Sequence, residues 1–139
     1  MHDRPTAVEL VNAVRQFLES ELLPTLTDAR LKFQTLIAAN VLSIAERELR
    51  SEETDLADEF VFYMLLLKLD VKSDTLIEFR TAVLRANELL CEHIRRGDYD
   101  EPARFAALAK ELRGFVERKL QVANPRYLAS FVAAKEAKS

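Results

Sequence analysis

The chain is poor in the residues that interrupt regular structure. Its 139 residues include only two glycines and four prolines, whereas 49% are hydrophobic and 31% are charged. This composition is typical of long regular elements with short connections, and it excludes a loop-rich or disordered chain. A chain of this length buries roughly two-thirds of the surface that its unfolded form exposes, which is enough for its own core. We therefore expect one soluble domain over residues 1–139.

The chain has a single cysteine, and it lacks the features of a leader segment and a long apolar run. Because Cys91 is the only cysteine, no internal disulfide forms, and the first residues lack the basic start and apolar core of a signal peptide. The longest apolar run, from Phe60 to Leu67, is far shorter than the roughly 20 residues that cross a bilayer. The net charge of −3 provides no basic surface for nucleic acid. We expect a cytoplasmic protein that binds neither membranes nor nucleic acid.

Motifs that carry catalysis or hold cofactors are absent as well. The sequence contains no glycine-rich phosphate loop, no G-x-S-x-G, no C-x-x-C and no H-E-x-x-H motif. Metal sites in helical bundles use Glu-x-x-His pairs, but Leu90 stands three residues before His93, which we expect at the surface. Cys91 falls in an apolar stripe, where a cysteine is usually a small core residue. We predict no catalytic residue, no metal and no cofactor, and hence a protein that is not an enzyme.

Helix signals divide the chain into five or six segments. Capping boxes at Thr6 with Glu9 and at Thr75 with Glu78 begin the first and fourth helices, and Pro24 is expected to end the first. Thr27 or Asp28 is the expected cap of the second helix, and alternative caps of the fourth helix are Ser73 and Asp74. The predicted helices are about 7–23, 28–50, 55–69, 76–96 and 102–123, followed by a short last helix from 125 that Asn124 caps. This pattern predicts an all-α fold, a single compact bundle of five or six helices.

Apolar residues at helical spacing define the faces that should point inward. In the first helix these are Ala7, Leu10, Val11, Val14, Phe17 and Leu18, with Asn12, Arg15, Gln16 and Glu19 outward. In the second helix they are Phe33, Leu36, Ile37, Val41 and Ile44, and in the last helix Tyr127, Leu128, Phe131 and Val132. The third helix is apolar all round from Phe60 to Leu67. Such a helix is either central in its own fold or covered by a second copy, and we favour a homodimer through this segment.

Two asparagines are the strongest candidate site residues. Asn40 and Asn87 fall within otherwise apolar stripes, and a buried amide without a partner costs on the order of 1–3 kcal/mol. Each asparagine therefore either fixes helix packing through a specific neighbour or lines a small polar pocket. Arg95 and Arg96 end the fourth helix, and Asp98 and Asp100 follow. This segment is either a capped helix end with local ion pairs or, with Arg104 or Arg126, a contact for phosphate or an acidic partner.

Four segments carry a family resemblance: RPTAVELVNAVRQFLESELLP (4–24), FQTLIAANVLSIAERELR (33–50), HIRRGDYD (93–100) and KLQVANPRYL (119–128). Together they resemble an uncharacterised bacterial helical family of unknown function, often encoded beside or fused to aminoglycoside-phosphotransferase-like kinases and near acyl-CoA dehydrogenases. The resemblance implies a kinase-like or acyl-CoA dehydrogenase-like protein partner. The positions that match its motifs are Arg4, Asn40, Arg95, Asp98, Asn124, Arg126 and Tyr127.

Taken together, these patterns favour a non-enzymatic accessory or protein-interaction domain. The alternative is a helical domain that binds an acyl or phosphorylated metabolite in a polar pocket near Asn40 and Asn87. An exposed apolar face would favour the first function, and an internal polar cavity would favour the second.

Overall fold

A computed structural model describes residues 4–72 and 75–136. These residues form helices and no strands, which confirms the all-α prediction. The helices are α1 (Ala7–Phe17), α2 (Leu23–Thr25), α3 (Ala29–Leu67), α4 (Leu76–Arg95), α5 (Pro102–Ala123) and α6 (Pro125–Glu136), and a π-helical turn at Leu18–Leu22 joins α1 to α2. The chain divides into two compact units, one up to Ser51 and one from Glu52. The division falls inside α3, and the single domain stays a prediction.

The first unit begins at the capping box that the sequence predicts. Thr6 accepts a hydrogen bond from the Glu9 amide, and Glu9 accepts one from the amide of Thr6. The expected end at Pro24 is wrong, because the helical path continues through Thr25. A proline ring clashes with the carbonyl four residues earlier. The wider π turn, in which the Leu23 amide bonds to the Leu18 carbonyl, accommodates that ring.

The break predicted between the second and third helices is also wrong. Asp28 caps α3 through the Leu31 amide at 2.8 Å, and the helix then runs without interruption for 39 residues. Residues 51–54 contain neither glycine nor proline, and helix continuation there costs little. Lys68 ends α3 in the left-handed conformation, with φ of 54°, while the Leu69 amide bonds to the Met64 carbonyl. This geometry is that of a Schellman C-terminus.

Within the first unit, polar side chains lie where apolar ones are expected. Asn12 and Arg15, predicted to point outward, both donate to the Glu46 carboxylate at 3.1–3.3 Å, and only 13% of that side chain is exposed. Hydrogen bonds from Arg50 and then Asn12 lower the pKa of Glu46. The predicted inward faces of α1 and α3 are largely exposed: Leu10, Val14, Phe17, Phe33, Leu36, Ile37 and Val41. Those two predictions of burial are wrong.

The second unit has a filled apolar core. Its buried residues come from α3, α4 and α5: Tyr63, Val83, Ala86, Leu90 and Leu108. The apolar segment from Phe60 to Leu67 packs against this core on most sides, and only Val61 and Leu65 in it are exposed. Neighbouring helices of the unit therefore cover most of the surface for which a second copy was expected. Dimerisation through this segment stays a prediction.

The later helices begin and end close to the predicted positions. Thr75 caps α4 in a capping box with Glu78, whereas Ser73 and Asp74 lie outside the described residues. Gly97, with φ of 85°, follows α4, and α5 has the predicted bounds. Asn124 caps α6 through the Tyr127 amide at 3.1 Å. The faces differ from expectation, because Tyr127, Phe131, Val132 and Cys91 are exposed and Leu128 is only half-buried.

Candidate functional site

An open cleft of about 690 Å³ lies in the second unit, beside the turn that joins α4 to α5. The turn depends on Gly97, because its positive φ is one that other residues rarely adopt, and an added Cβ would lie 2.8 Å from an Asp100 oxygen. The Asp98 amide bonds to the His93 carbonyl across the turn. This closure brings the His93 ring against Asp98, with Nδ1 2.8 Å from the carboxylate.

The cleft combines an apolar floor with a charged rim. Phe62, Leu66 and Leu108 contribute apolar side chains, and Tyr99 contributes a ring. The charged side chains on the rim are Lys68, Arg104, Lys110, Asp98 and Glu111. Pockets of roughly 300–1,000 Å³ with apolar walls and a few polar groups are typical of small-molecule sites. The cleft therefore has the size and composition to hold a small organic ligand.

The start of α5 positions the arginine of this rim. Glu101 caps the helix by accepting hydrogen bonds from the amides of Ala103 and Arg104 at 3.0 and 2.9 Å. These two backbone hydrogen bonds lower the pKa of Glu101. The Arg104 guanidinium donates to the Asp98 carbonyl at 3.5 Å. The cap and this contact together hold Arg104 beside the turn.

A second polar cluster joins α3 to α4 and α5 within the same unit. The Tyr63 hydroxyl donates to the Asn87 side-chain oxygen at 2.5 Å, and Lys119 Nζ lies 2.6 Å from the buried Glu59 carboxylate. Burial, and then the charge of Glu59, raise the pKa of Tyr63 to about 12. Asn87 thus has the specific neighbour that an amide in an apolar stripe requires. The sequence alone did not identify Tyr63 as that neighbour.

The predicted site residues are distributed over several places. Asn40 belongs to the first unit and is exposed, so its predicted burial is wrong. Arg95 and Arg126 are exposed, and Tyr127 is 54% exposed at the start of α6. Asp98 is the member of the predicted set that lines the cleft, where Arg96 approaches it at 3.1 Å.

Several cleft residues were missed from the sequence. Lys68 and Lys110 carry no motif, and Tyr99 lies in the segment 93–100 without being one of its motif positions. The three residues meet because α3 ends beside the α4–α5 turn. A partial signal existed in α5, since Arg104, Leu108 and Glu111 recur at the spacing of one helix face. Helical spacing on one element does not reveal which end of another helix lies opposite.

The first unit carries a row of apolar side chains on α3 that no other described part of the unit covers. We define the α3 face as the exposed apolar side chains Phe33, Leu36, Ile37 and Val41, whose exposed fractions range from 48% to 64%. Asn40 lies among them on a helical wheel, and Arg30 and Glu48 are exposed on one flank. A run of exposed large apolar residues along one helix side is unusual for a surface in contact with water alone.

The part of the chain that the structure describes defines an all-α protein. Among residues 4–72 and 75–133, whose side chains the structure describes, no group of three or more histidine, cysteine or acidic side chains is placed to hold a metal. No helix in those same ranges has the length and apolar character to cross a membrane. The family model described as domain of unknown function DUF6285 matches residues 24–127. The chain belongs to that family. Neither the curated proteins nor the solved structures provide a match.

Proposed function

We propose that the protein is a non-enzymatic interaction domain that docks through the α3 face. The observation that carries the proposal is the inverted packing of the first unit. Asn12 and Arg15 of α1 both contact Glu46 of α3, while large apolar side chains of α3 remain exposed. Burial of apolar surface is the main favourable term in most protein association. A partner that covers the α3 face would therefore bind with a favourable free energy from the burial of these side chains.

The charges beside the α3 face favour a second copy of this chain as the partner. Arg30 and Glu48 are about 18 residues apart, which is five turns at about 3.6 residues per turn, so both lie on the same flank. When two α3 helices cross antiparallel about a two-fold axis level with Ala39, Arg30 of each copy lies opposite Glu48 of the other. The same axis sets Ile37 opposite Val41. Such a two-fold interface uses one surface patch twice.

Asn40 should fix the register of the two helices in this dimer. It lies one residue from the level of the two-fold axis, so the amides of the two copies are about 3 Å apart along the helix direction. A single asparagine within an apolar helix interface fixes the register because shifted pairings leave its amide without a partner. Asn40→Leu is therefore expected to loosen the register and permit other oligomers, rather than to unfold the protein.

The test is the mass of the protein in solution. Wild-type protein should sediment as a dimer. Ile37→Ala removes one side chain from each copy, and at about 1 kcal/mol of burial per side chain it should weaken association roughly 30-fold. Arg30→Glu or Glu48→Arg alone should weaken the dimer, and the double exchange should restore it, because opposite charges again face each other.

Leu65→Glu is the matched control. Leu65 is 75% exposed and belongs to the segment from Phe60 to Leu67, so loss of the dimer in this variant would place the interface there instead. A strictly monomeric wild-type protein would overturn self-association. If the monomer then captures a kinase-like or acyl-CoA dehydrogenase-like protein, and Ile37→Glu abolishes capture, the interaction role stands with a different partner.

A further inference from the structure

The cleft beside the α4–α5 turn has features that the proposed dimer does not use. Its residues belong to the second unit, whereas the α3 face belongs to the first. We infer that this cleft binds a small organic anion whose apolar body rests on Phe62, Leu66 and Leu108 and whose carboxylate or phosphate meets Arg104 and Lys68. The inference is independent of the partner that covers the α3 face.

The floor of the cleft accounts for the apolar body. Leu108 is part of the buried core, while Phe62 and Leu66 are partly buried against that core and also line the cleft. Phe62 is held in an edge-to-face contact with Phe115, with ring centroids 4.9 Å apart. A floor fixed in this way needs little rearrangement to accept an alkyl chain or a ring, and such preorganisation favours binding.

The rim accounts for the negative head group. Three cations, Lys68, Arg104 and Lys110, line the cleft together with two acids, Asp98 and Glu111. Asp98 already faces two basic side chains, since His93 lies at 2.8 Å and Arg96 at 3.1 Å from its carboxylate. The balance of charge on the rim is therefore positive.

The individual cations also suit this role. Among the residues that the structure describes, Lys68 and Lys110 have no acid within ion-pair distance. Arg104 is held by a backbone carbonyl, so most of its N–H groups remain available. An arginine fork pairs with carboxylate or phosphate through two parallel hydrogen bonds.

A tryptophan introduced at the cleft provides a specific reporter. The natural sequence contains none, so Tyr99→Trp gives a single indole on the cleft wall and Phe33→Trp gives one on the α3 face. Octanoate, octyl phosphate and neutral octanol are titrated into each variant as soluble monomers. Circular dichroism checks that each variant is folded, and calorimetry with wild-type protein provides a readout without substitution.

The expected result is saturable fluorescence change in Tyr99→Trp with octanoate or octyl phosphate, and at least tenfold weaker binding of octanol. Whichever anion binds more tightly identifies the head group. Arg104→Gln should weaken anion binding roughly tenfold or more, because a charge-assisted hydrogen bond contributes about 1.5–3 kcal/mol. The matched control is Arg113→Gln, which removes an exposed cation of α5 outside the cleft and should leave affinity unchanged.

Three outcomes would overturn the inference. If octanol binds with the same affinity as the anions, the rim cations do not contribute to binding. A signal in Phe33→Trp without one in Tyr99→Trp would mean that the probes adsorb to the α3 face. The absence of a saturable signal and of heat with wild-type protein would mean that the cleft binds neither anion. None of these results bears on the mass of the protein, so failure here is distinguishable from failure of the proposed dimer.

Discussion

Tyr63 and Asn87 should be energetically coupled through their hydrogen bond, and a double-mutant cycle measures that coupling. Tyr63 is only 3% exposed, and its hydroxyl donates to the Asn87 side-chain oxygen. Tyr63→Phe removes the donor and leaves the acceptor on Asn87, a residue that is only half-buried. Asn87→Leu is close in size but removes the acceptor from a hydroxyl deep in the core.

The two single changes should therefore differ in cost. A typical intramolecular hydrogen bond contributes about 1 kcal/mol net, and a buried polar group left without a partner costs about 1–3 kcal/mol. We expect Tyr63→Phe to lower the free energy of unfolding by about 1 kcal/mol and Asn87→Leu by about 2 kcal/mol. The double variant replaces both partners with apolar groups, so its loss should be smaller than the sum, with a coupling of about 1 kcal/mol.

Denaturant unfolding of the four proteins, followed by circular dichroism, provides the free energies. Tyr127→Phe combined with Asn87→Leu is the control, because Tyr127 is exposed on α6 and should be additive with Asn87. Additivity of Tyr63→Phe and Asn87→Leu to within about 0.3 kcal/mol would refute the structural role assigned to the hydrogen bond.

Two further predictions concern pH. The pKa of Tyr63 is raised from 10.0 to about 12, so the neutral phenol stabilises the fold. This contribution to stability is complete below pH 10 and is lost as pH rises through about 12. Tyr63→Phe should therefore remove the last tyrosinate step of an alkaline absorbance titration. The pKa of Glu101 is lowered below 4.5 by its capping hydrogen bonds, so its contribution is present above that pH and is lost on acidification. Glu101→Ala should lower the melting temperature at neutral pH but not in acid. The control Glu117→Ala, at an exposed position within α5, should have little effect at either pH. If Glu101→Ala lowers the melting temperature equally in acid, the capping role is contradicted.

Helix termini were the most predictable part of the fold, because local chemistry determines them. Thr6, Thr75 and Asn124 act as predicted caps, since each requires only a side chain within reach of an amide two or three residues later. The one false boundary inside α3 falls at residues 51–54, a charged stretch that contains neither glycine nor proline. Charge alone does not end a helix whose residues have good helix propensity.

The side on which each helix packs was far less predictable. Periodicity identified the apolar stripe of α3 around Ile37, but the contact with α1 uses the opposite side, where Ala39 is buried and Glu46 binds Asn12 and Arg15. A polar cluster with complementary partners packs as well as an apolar one, and hydropathy does not distinguish a face covered by the same chain from one left for another molecule. The cleft was missed for a related reason, since it joins residues from three elements.

The two halves of α3 show what this distinction means for function. Both halves carry large apolar residues, yet the second half is covered by α4 and α5 except at Val61 and Leu65, whereas the first half leaves the α3 face uncovered. The stability of the first unit does not require Phe33 and Val41 to be apolar at these exposed positions, because polar residues there would maintain the helix and improve solubility. In the proposed dimer, the pairing of Arg30 with Glu48 across the two-fold axis would give that apolar surface a specific occupant. If charge exchange at these two positions fails to restore a dimer that each single change weakens, the antiparallel arrangement is wrong even though the exposed face remains.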